Sequence, residues 1–186
     1  MIPKLLAFAG STRRDSFNAR LVHFAAGEAR AAGAQATVLD RAAFDLPLYN
    51  GDLKADEGLP VGVARLKDLF LAHDGSLIAS PEYNNSILPL LKNAIDWVSR
   101  PVAGRPPLAE YVGKVAGLMA ASLGALGGLR SLAHVRQILS GVAPAQHTVP
   151  QRVQRRRHAY RGTAWQSDAS SGRPCGSPRS AAPDGS

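Results

Sequence analysis

The chain has 186 residues, 45% of them hydrophobic and 19% charged, which suits one globular domain with a sizeable buried core. No apolar run reaches the ~18 residues of a membrane span, and the N-terminal apolar stretch is too short for a signal peptide, so a cytoplasmic protein without membrane attachment is expected. The single cysteine, Cys175, excludes an internal disulfide and a thiolate metal cluster. The net charge of +8 is unevenly spread: residues 1–142 hold 15 Lys/Arg against 12 Asp/Glu, and residues 143–186 hold 7 Arg against 2 Asp.

In chain order, Lys4 to Ala9 is a continuous apolar run, the pattern of a strand covered on both faces. Gly10-Ser-Thr-Arg-Arg-Asp-Ser-Phe-Asn18 follows, and a helical pattern then begins with Phe17, Leu21, Phe24, Ala25 and Ala29 expected to face inward. Gly33 closes that helix. A strand–loop–helix junction gathers unpaired backbone N–H groups at the positive end of a helix dipole, where an anion, above all a phosphate, is stabilised. Ser11, Thr12 and Ser16 add hydroxyls, Asn18 adds an amide, and Arg13 and Arg14 add fork-shaped positive charge. The same stretch also suits an ordinary polar loop with a serine cap.

Gln35 to Leu39 reads as a second strand and Phe44 to Asp52 as a Pro- and Gly-studded loop. Val61 to Leu71 reads as a helix with Val63, Leu66 and Leu69 or Phe70 inward. Gly75 to Ala79 is a third strand, running into Ser80-Pro-Glu-Tyr-Asn-Asn85. Ile87, Leu90, Leu91, Ala94, Ile95 and Val98 then recur at helical spacing, and Pro89 is tolerated in the first turn. Lys114 to Ala120 is a fourth strand, Ser122 to Gly128 a glycine-rich loop, and a helix follows carrying Leu129, Leu132, Val135 and Leu139.

Strands alternating with helices predict an α/β fold, a doubly wound parallel sheet. With the strand order 2-1-3-4-5, the polar loops after strands one, three and four converge where strand order reverses, the usual ligand crevice of such sheets. Trp97 is expected to be core packing, and Lys92 and Asp96 solvated or interface positions. No nucleophile–base pair stands out, and the five histidines lack ligand spacing, so neither a catalytic side chain nor a metal is expected.

The segments Gly10 to Asn18, Leu46-Pro-Leu-Tyr-Asn50, Ser80-Pro-Glu-Tyr-Asn84, Leu91-Lys-Asn-Ala-Ile-Asp-Trp97 and Ser122-x-Gly-x-x-Gly-Gly128 resemble the NAD(P)H-dependent FMN reductase family. These are the flavodoxin-like quinone, chromate and azo-dye reductases. The likeness spans residue 4 to about residue 140. It implies a flavodoxin-like fold and a phosphate of FMN held by Ser11, Arg13, Ser16, Phe17 and Asn18. It implies that Pro81, Glu82, Tyr83 and Asn84 cup the isoalloxazine ring, with Ser122, Gly124, Gly127 and Gly128 on its far side. It further implies NADPH or NADH as co-substrate, ping-pong hydride transfer through FMN to a quinone-like or other small acceptor, and a homodimer or homotetramer. A non-enzymatic or impaired FMN-binding protein is the competing expectation. The sequence departs from the family at Leu123 and Leu88, where proline is common.

Residues 143–186 contain no Leu, Ile, Phe or Met. The resemblance implies a fifth strand and a last helix there, and both are expected to be missing or degraded. The domain reading is therefore 1–142 for the FMN-binding body and 143–186 for a basic, low-complexity, disordered tail. Strand four would then keep an unpaired edge. A shifted reading frame near Val142 would account for this: with one assumed codon set, Arg152-Val-Gln-Arg-Arg-Arg157 read one base later becomes Ala-Phe-Ser-Val-Gly-Gly. The tail arginines with Tyr160 and Trp165 would suit nucleic acid, but no nucleic-acid partner is expected.

Overall fold

The structure, a computed structural model, describes residues 1–142 and 148–150. The chain divides into two units, Met1–Val153 and Gln154–Ser186, and the described residues all lie in the first. Apart from Thr148–Pro150, the expectations for the tail, including the last helix and the shifted frame, lie outside the described residues.

The strands are β1 (Lys4–Ala9), β2 (Gln35–Val38), β3 (Gly75–Ala79), β4 (Val115–Met119) and β5 (Thr148–Pro150). The helices are α1 (Phe17–Ala31), α2 (Gly51–Glu57), α3 (Val61–Leu71), α4 (Pro89–Val98) and α5 (Leu129–Val142), with a 3-10 turn at Arg41–Phe44. One sheet holds all five strands in the order β2-β1-β3-β4-β5, and every pair is parallel. This is the order expected for the flavodoxin-like arrangement. The outer edge of β4, expected to be bare, pairs at Ala116, Gly117 and Leu118 with Thr148, Val149 and Pro150. Three ladder positions suffice for a short β5 even in a segment poor in aliphatic residues, because pairing uses backbone groups.

Side chains alternate across the sheet, as the two-residue period of a strand requires. On one face Leu6, Phe8, Ile78 and Leu118 join Leu66 and Phe70 of α3, Leu91, Ile95 and Val98 of α4, and Leu132, Val135 and Leu139 of α5. On the other face Ala7, Ala79 and Met119 pack with Leu21, Val22 and Ala26 of α1. Trp97 is fully buried, as expected, and its indole Nε1 donates to the Pro47 carbonyl at 2.7 Å.

Two further expectations need correction. Phe24 does not face inward; it is 53% exposed, and the buried face of α1 is Asn18, Leu21, Val22 and Ala26. Phe24 lies two residues from Val22, about 200° around the helix and so on the opposite side. The Phe44 to Asp52 stretch is not loop throughout: α2 starts at Gly51, capped by Asn50, whose side chain accepts from the Asp52 N–H at 2.8 Å.

Among the described residues no helix is long and apolar enough to cross a membrane.

Candidate functional site

The loops after β1, β3 and β4 begin side by side, because Ala9 is in register with Ala79 and Ala79 with Met119. Their first and last members are two strand spacings apart, roughly 10 Å. Backbone bonds carry the alignment one residue past the strands: Gly10 N–H donates to Ala79 O at 2.8 Å, and Ser80 N–H to Met119 O at 2.9 Å.

The first loop is drawn tight at Gly10. A Cβ there would meet the side chain of Leu91 at 3.1 Å, so a larger residue would push the loop off α4. Ser16 caps α1, its hydroxyl accepting from Ala19 N–H at 3.4 Å, and Ser11 Oγ accepts from Arg13 N–H at 3.3 Å. Both serines are buried. Among the described residues the N–H groups of Ser11, Arg14 and Asp15 meet no backbone acceptor, and Arg13 and Arg14 are exposed without an ion-pair partner. That donor set fits a phosphate: open backbone N–H groups, a helix N-terminus and two guanidinium groups.

Asn18 does something the sequence did not reveal. It is 3% exposed, and its carboxamide spans to the third loop, donating to Ala121 O and accepting from Ala121 N–H, both at 2.9 Å. It ties the phosphate-type loop to the glycine-rich loop. Phe17 beside it is half-buried.

The second loop is pinned to the start of α5. The Glu82 carboxylate accepts from Arg130 N–H at 3.1 Å and Ser131 N–H at 3.4 Å, and Arg130 Nη1 lies 3.3 Å from its other oxygen. Ser131 Oγ donates to Pro81 O at 2.9 Å and stands 2.6 Å from Ser80 Oγ in a buried pair. A carboxylate at a helix N-terminus satisfies open N–H groups and favours the dipole. The side chain of Glu82 is thus directed to α5, while Pro81 contributes backbone.

Tyr83 and Ser86 exchange two backbone hydrogen bonds of 3.0 and 2.9 Å. Asn84 and Asn85 between them have φ of 48° and 64°, the left-handed pair of a type I′ turn. Asn tolerates this conformation better than most side-chain-bearing residues. The turn leaves Tyr83 52% exposed at the rim, and Asn85 is held by Arg130 Nη1 at 2.6 Å.

In the third loop, Ser122 Oγ accepts from Gly124 N–H at 3.1 Å. Gly128 has φ of +83°, and a Cβ there would lie 2.6 Å from Ala120 Cβ. Leu123, at the position noted for proline, is 69% exposed, and Leu126 and Leu129 are exposed beside it. All thirteen residues expected at the site therefore lie on three adjacent loops or at the first turn of α1. Of these, Asn18 and Glu82 have side chains committed to holding the loops together. Among the described residues no group of His, Cys, Asp and Glu suits a metal ion.

Residues 3–154 match the family described as NADPH-dependent FMN reductase. The chain belongs to that family. It is therefore an oxidoreductase of the FMN reductase type, with FMN as cofactor and NAD(P)H as co-substrate. It is 37% identical over 140 residues to the quinone reductase of Escherichia coli K12, covering 73% of this chain and 69% of that protein. It is 39% identical over 136 residues to an NAD(P)H-dependent FMN reductase of Pseudomonas aeruginosa, with the same two coverages. Among solved structures, FerB, the flavoenzyme NAD(P)H:(acceptor) oxidoreductase of Paracoccus denitrificans, superposes with a TM-score of 0.66 at 33% identity. That match covers 81% of this chain and 75% of the other.

Proposed function

We propose that this FMN reductase works as an NAD(P)H:quinone-type oxidoreductase in a ping-pong cycle, its FMN seated on the loops after β1, β3 and β4. The observation that carries the reading is the mutual bracing of those loops by Asn18–Ala121 and Glu82–α5, which holds a donor-rich loop opposite a glycine-lined one. When bound, FMN supplies the acceptor for a hydride from nicotinamide and the donor to a second small substrate. The relatives named quinone reductase support the choice of acceptor class.

In this reading the open N–H groups of Ser11, Arg14 and Asp15, with Arg13, bind the phosphate dianion. Ser11 and Ser16 shape that loop from beneath, and Phe17 and Asn18 fix it to the helix start. Pro81, Tyr83 and Asn84 form one wall, kept at a set height by Glu82. Ser122, Gly124, Gly127 and Gly128 form the other, where absent side chains admit a flat ring close to backbone. No side chain need act as acid or base at the transferred hydride. In the same reading the chain assembles as a homodimer or homotetramer, which sedimentation velocity would show.

The test is reconstitution with FMN followed by anaerobic addition of NADPH or NADH. Bleaching of the flavin absorbance, then its return on adding a benzoquinone, is expected. Failure to take up FMN, or bound FMN that neither nicotinamide reduces, would overturn the reading.

A further inference from the structure

α5 begins at Leu129, directly after Gly128, so one helix carries the glycine-lined loop and also grips the loop after β3. Its first turn holds the entry leg and the tip of that second loop: Ser131 Oγ donates to Pro81 O, and Arg130 reaches Glu82 and Asn85. One turn further on, His134 reaches the exit leg, its Nδ1 standing 2.9 Å from Ser86 Oγ. Arg130 and His134 are four residues apart and share a face of α5. A hydroxyl both donates and accepts, so the Ser86–His134 bond forms with either tautomer of the imidazole.

Resting on the flavin reading above, we propose that His134 is a positioning residue for the flavin ring, setting through Ser86 the direction in which Tyr83 is presented. Tyr83 and Ser86 exchange both backbone hydrogen bonds, Tyr83 N–H to Ser86 O at 3.0 Å and Ser86 N–H to Tyr83 O at 2.9 Å. Residues paired in this way in an antiparallel ribbon carry their side chains on the same face. Holding the Ser86 hydroxyl against α5 therefore fixes the roll of the ribbon, and with it the side on which the Tyr83 ring stands. Tyr83 is 52% exposed, so packing does little to direct it and the backbone of the turn must. The fastenings from Arg130 and Ser131 lie before or at the tip of the turn, and His134 adds one beyond it. A ring wall whose tilt is set before the ligand arrives loses less freedom on binding.

The test compares His134→Ala, His134→Asn and Tyr83→Leu, alone and combined, in binding FMN and riboflavin, which lacks the phosphate. Visible circular dichroism of the bound flavin reports the asymmetry of the ring's contacts. His134→Ala should weaken both flavins by the same factor, about two- to tenfold, as the loss of one hydrogen bond predicts, and should alter the dichroism. His134→Asn brings its side-chain amide to the reach of Nδ1 and should restore both readings. In the Tyr83→Leu background His134→Ala should cause no further loss, since the effect passes through Tyr83. Unchanged affinity and dichroism in His134→Ala, a loss confined to FMN, no rescue by His134→Asn, or the full loss in the Tyr83→Leu background would overturn the proposal while leaving the flavin reading intact. Failure of the unmodified protein to take up FMN would overturn both.

Discussion

Asn18 and Ala121 are 103 residues apart in the chain and are joined by two hydrogen bonds of 2.9 Å, one in each direction. Through this pair the start of α1 is tied to the beginning of the loop that follows β4. In the proposed seating of FMN, two loops fixed to each other in this way would give the cofactor a slot of set width before it arrives, which lowers the ordering cost of binding.

Asn18→Ala tests that link. It removes the partner of both Ala121 backbone groups, and the loss of two hydrogen bonds at about 0.5–1.5 kcal/mol each is expected. We expect a lower urea midpoint and a larger Kd for FMN. Asn18→Asp keeps an acceptor for the Ala121 N–H but sets a carboxylate against its carbonyl, so it should not restore either value. An Asn18→Ala protein with the parent's midpoint and FMN affinity would show that the loops are held by other means.

Gly127 and Gly128 permit a paired comparison. Both have positive φ, +59° and +83°, but a Cβ at Gly127 meets nothing within 4 Å whereas one at Gly128 would strike Ala120 Cβ at 2.6 Å. Gly127→Ala should cost only the left-handed penalty of about 1–2 kcal/mol. Gly128→Ala carries that penalty and must also displace the end of β4, so it should be clearly less stable and bind FMN more weakly. Equal thermal midpoints for the two variants would contradict the role of close approach.

The parts of the fold that are legible in the sequence are those where burial imposes a period. α4 runs Pro89–Val98 because its apolar residues recur on one face, and the strands read as apolar runs because helices or chain cover both sides. α2 escapes detection because it has no buried residue, so only its Asn50 cap and Asp52 in the first turn signal it. Phe24 misleads because apolar character does not guarantee burial, while the polar Asn18 is drawn inward by Ala121. At the site, the three loops are legible from glycines, hydroxyls and arginines. Which side chains face a ligand and which brace the loops is not, because bracing depends on partners far away in sequence, as Glu82 with Arg130 shows.

Lys67 is a buried charge that the sequence pattern conceals, although it shares a face with Val63, Leu66 and Phe70. Its ammonium donates to Val98 O at 2.7 Å and Arg100 O at 2.8 Å, and stands 2.8 Å from Glu110 Oε1. That oxygen lacks a well-directed hydrogen bond, so the attraction to Lys67 is chiefly charge on charge. Lys67→Met should therefore destabilise by about 3–5 kcal/mol, because it leaves the buried Glu110 carboxylate with only the more distant Arg105 guanidinium, at 3.9 Å, as a counter-charge. The double variant Lys67→Met/Glu110→Leu should recover much of the loss. If the single variant matched the parent in urea, Arg105 would have to hold the Glu110 carboxylate as well as Lys67 does.

Tyr111 gives the fold an alkaline limit. Its side chain is buried, with its hydroxyl 3.5 Å from Ile95 O, and burial pushes its pKa well above the ordinary 10.0, with Glu110 and then Asp96 adding and Arg100 opposing. The native protein therefore keeps this proton at a pH where the unfolded chain releases it. The native state binds more protons there, so stability is full below the ordinary tyrosine value and falls as pH climbs past it. Lys114 acts in the opposite sense: burial lowers its pKa, with Asp74 and Glu110 opposing, so the folded state deprotonates first and stability rises with pH up to the ordinary lysine value. That contribution is common to the parent and to Tyr111→Phe and cancels in their difference. Urea midpoints measured from about pH 8 to about pH 11 should thus converge or cross, with the parent losing stability faster above the ordinary tyrosine pKa. Parallel curves would mean that the Tyr111 hydroxyl reaches solvent in the native state and ionises as freely as in the unfolded chain.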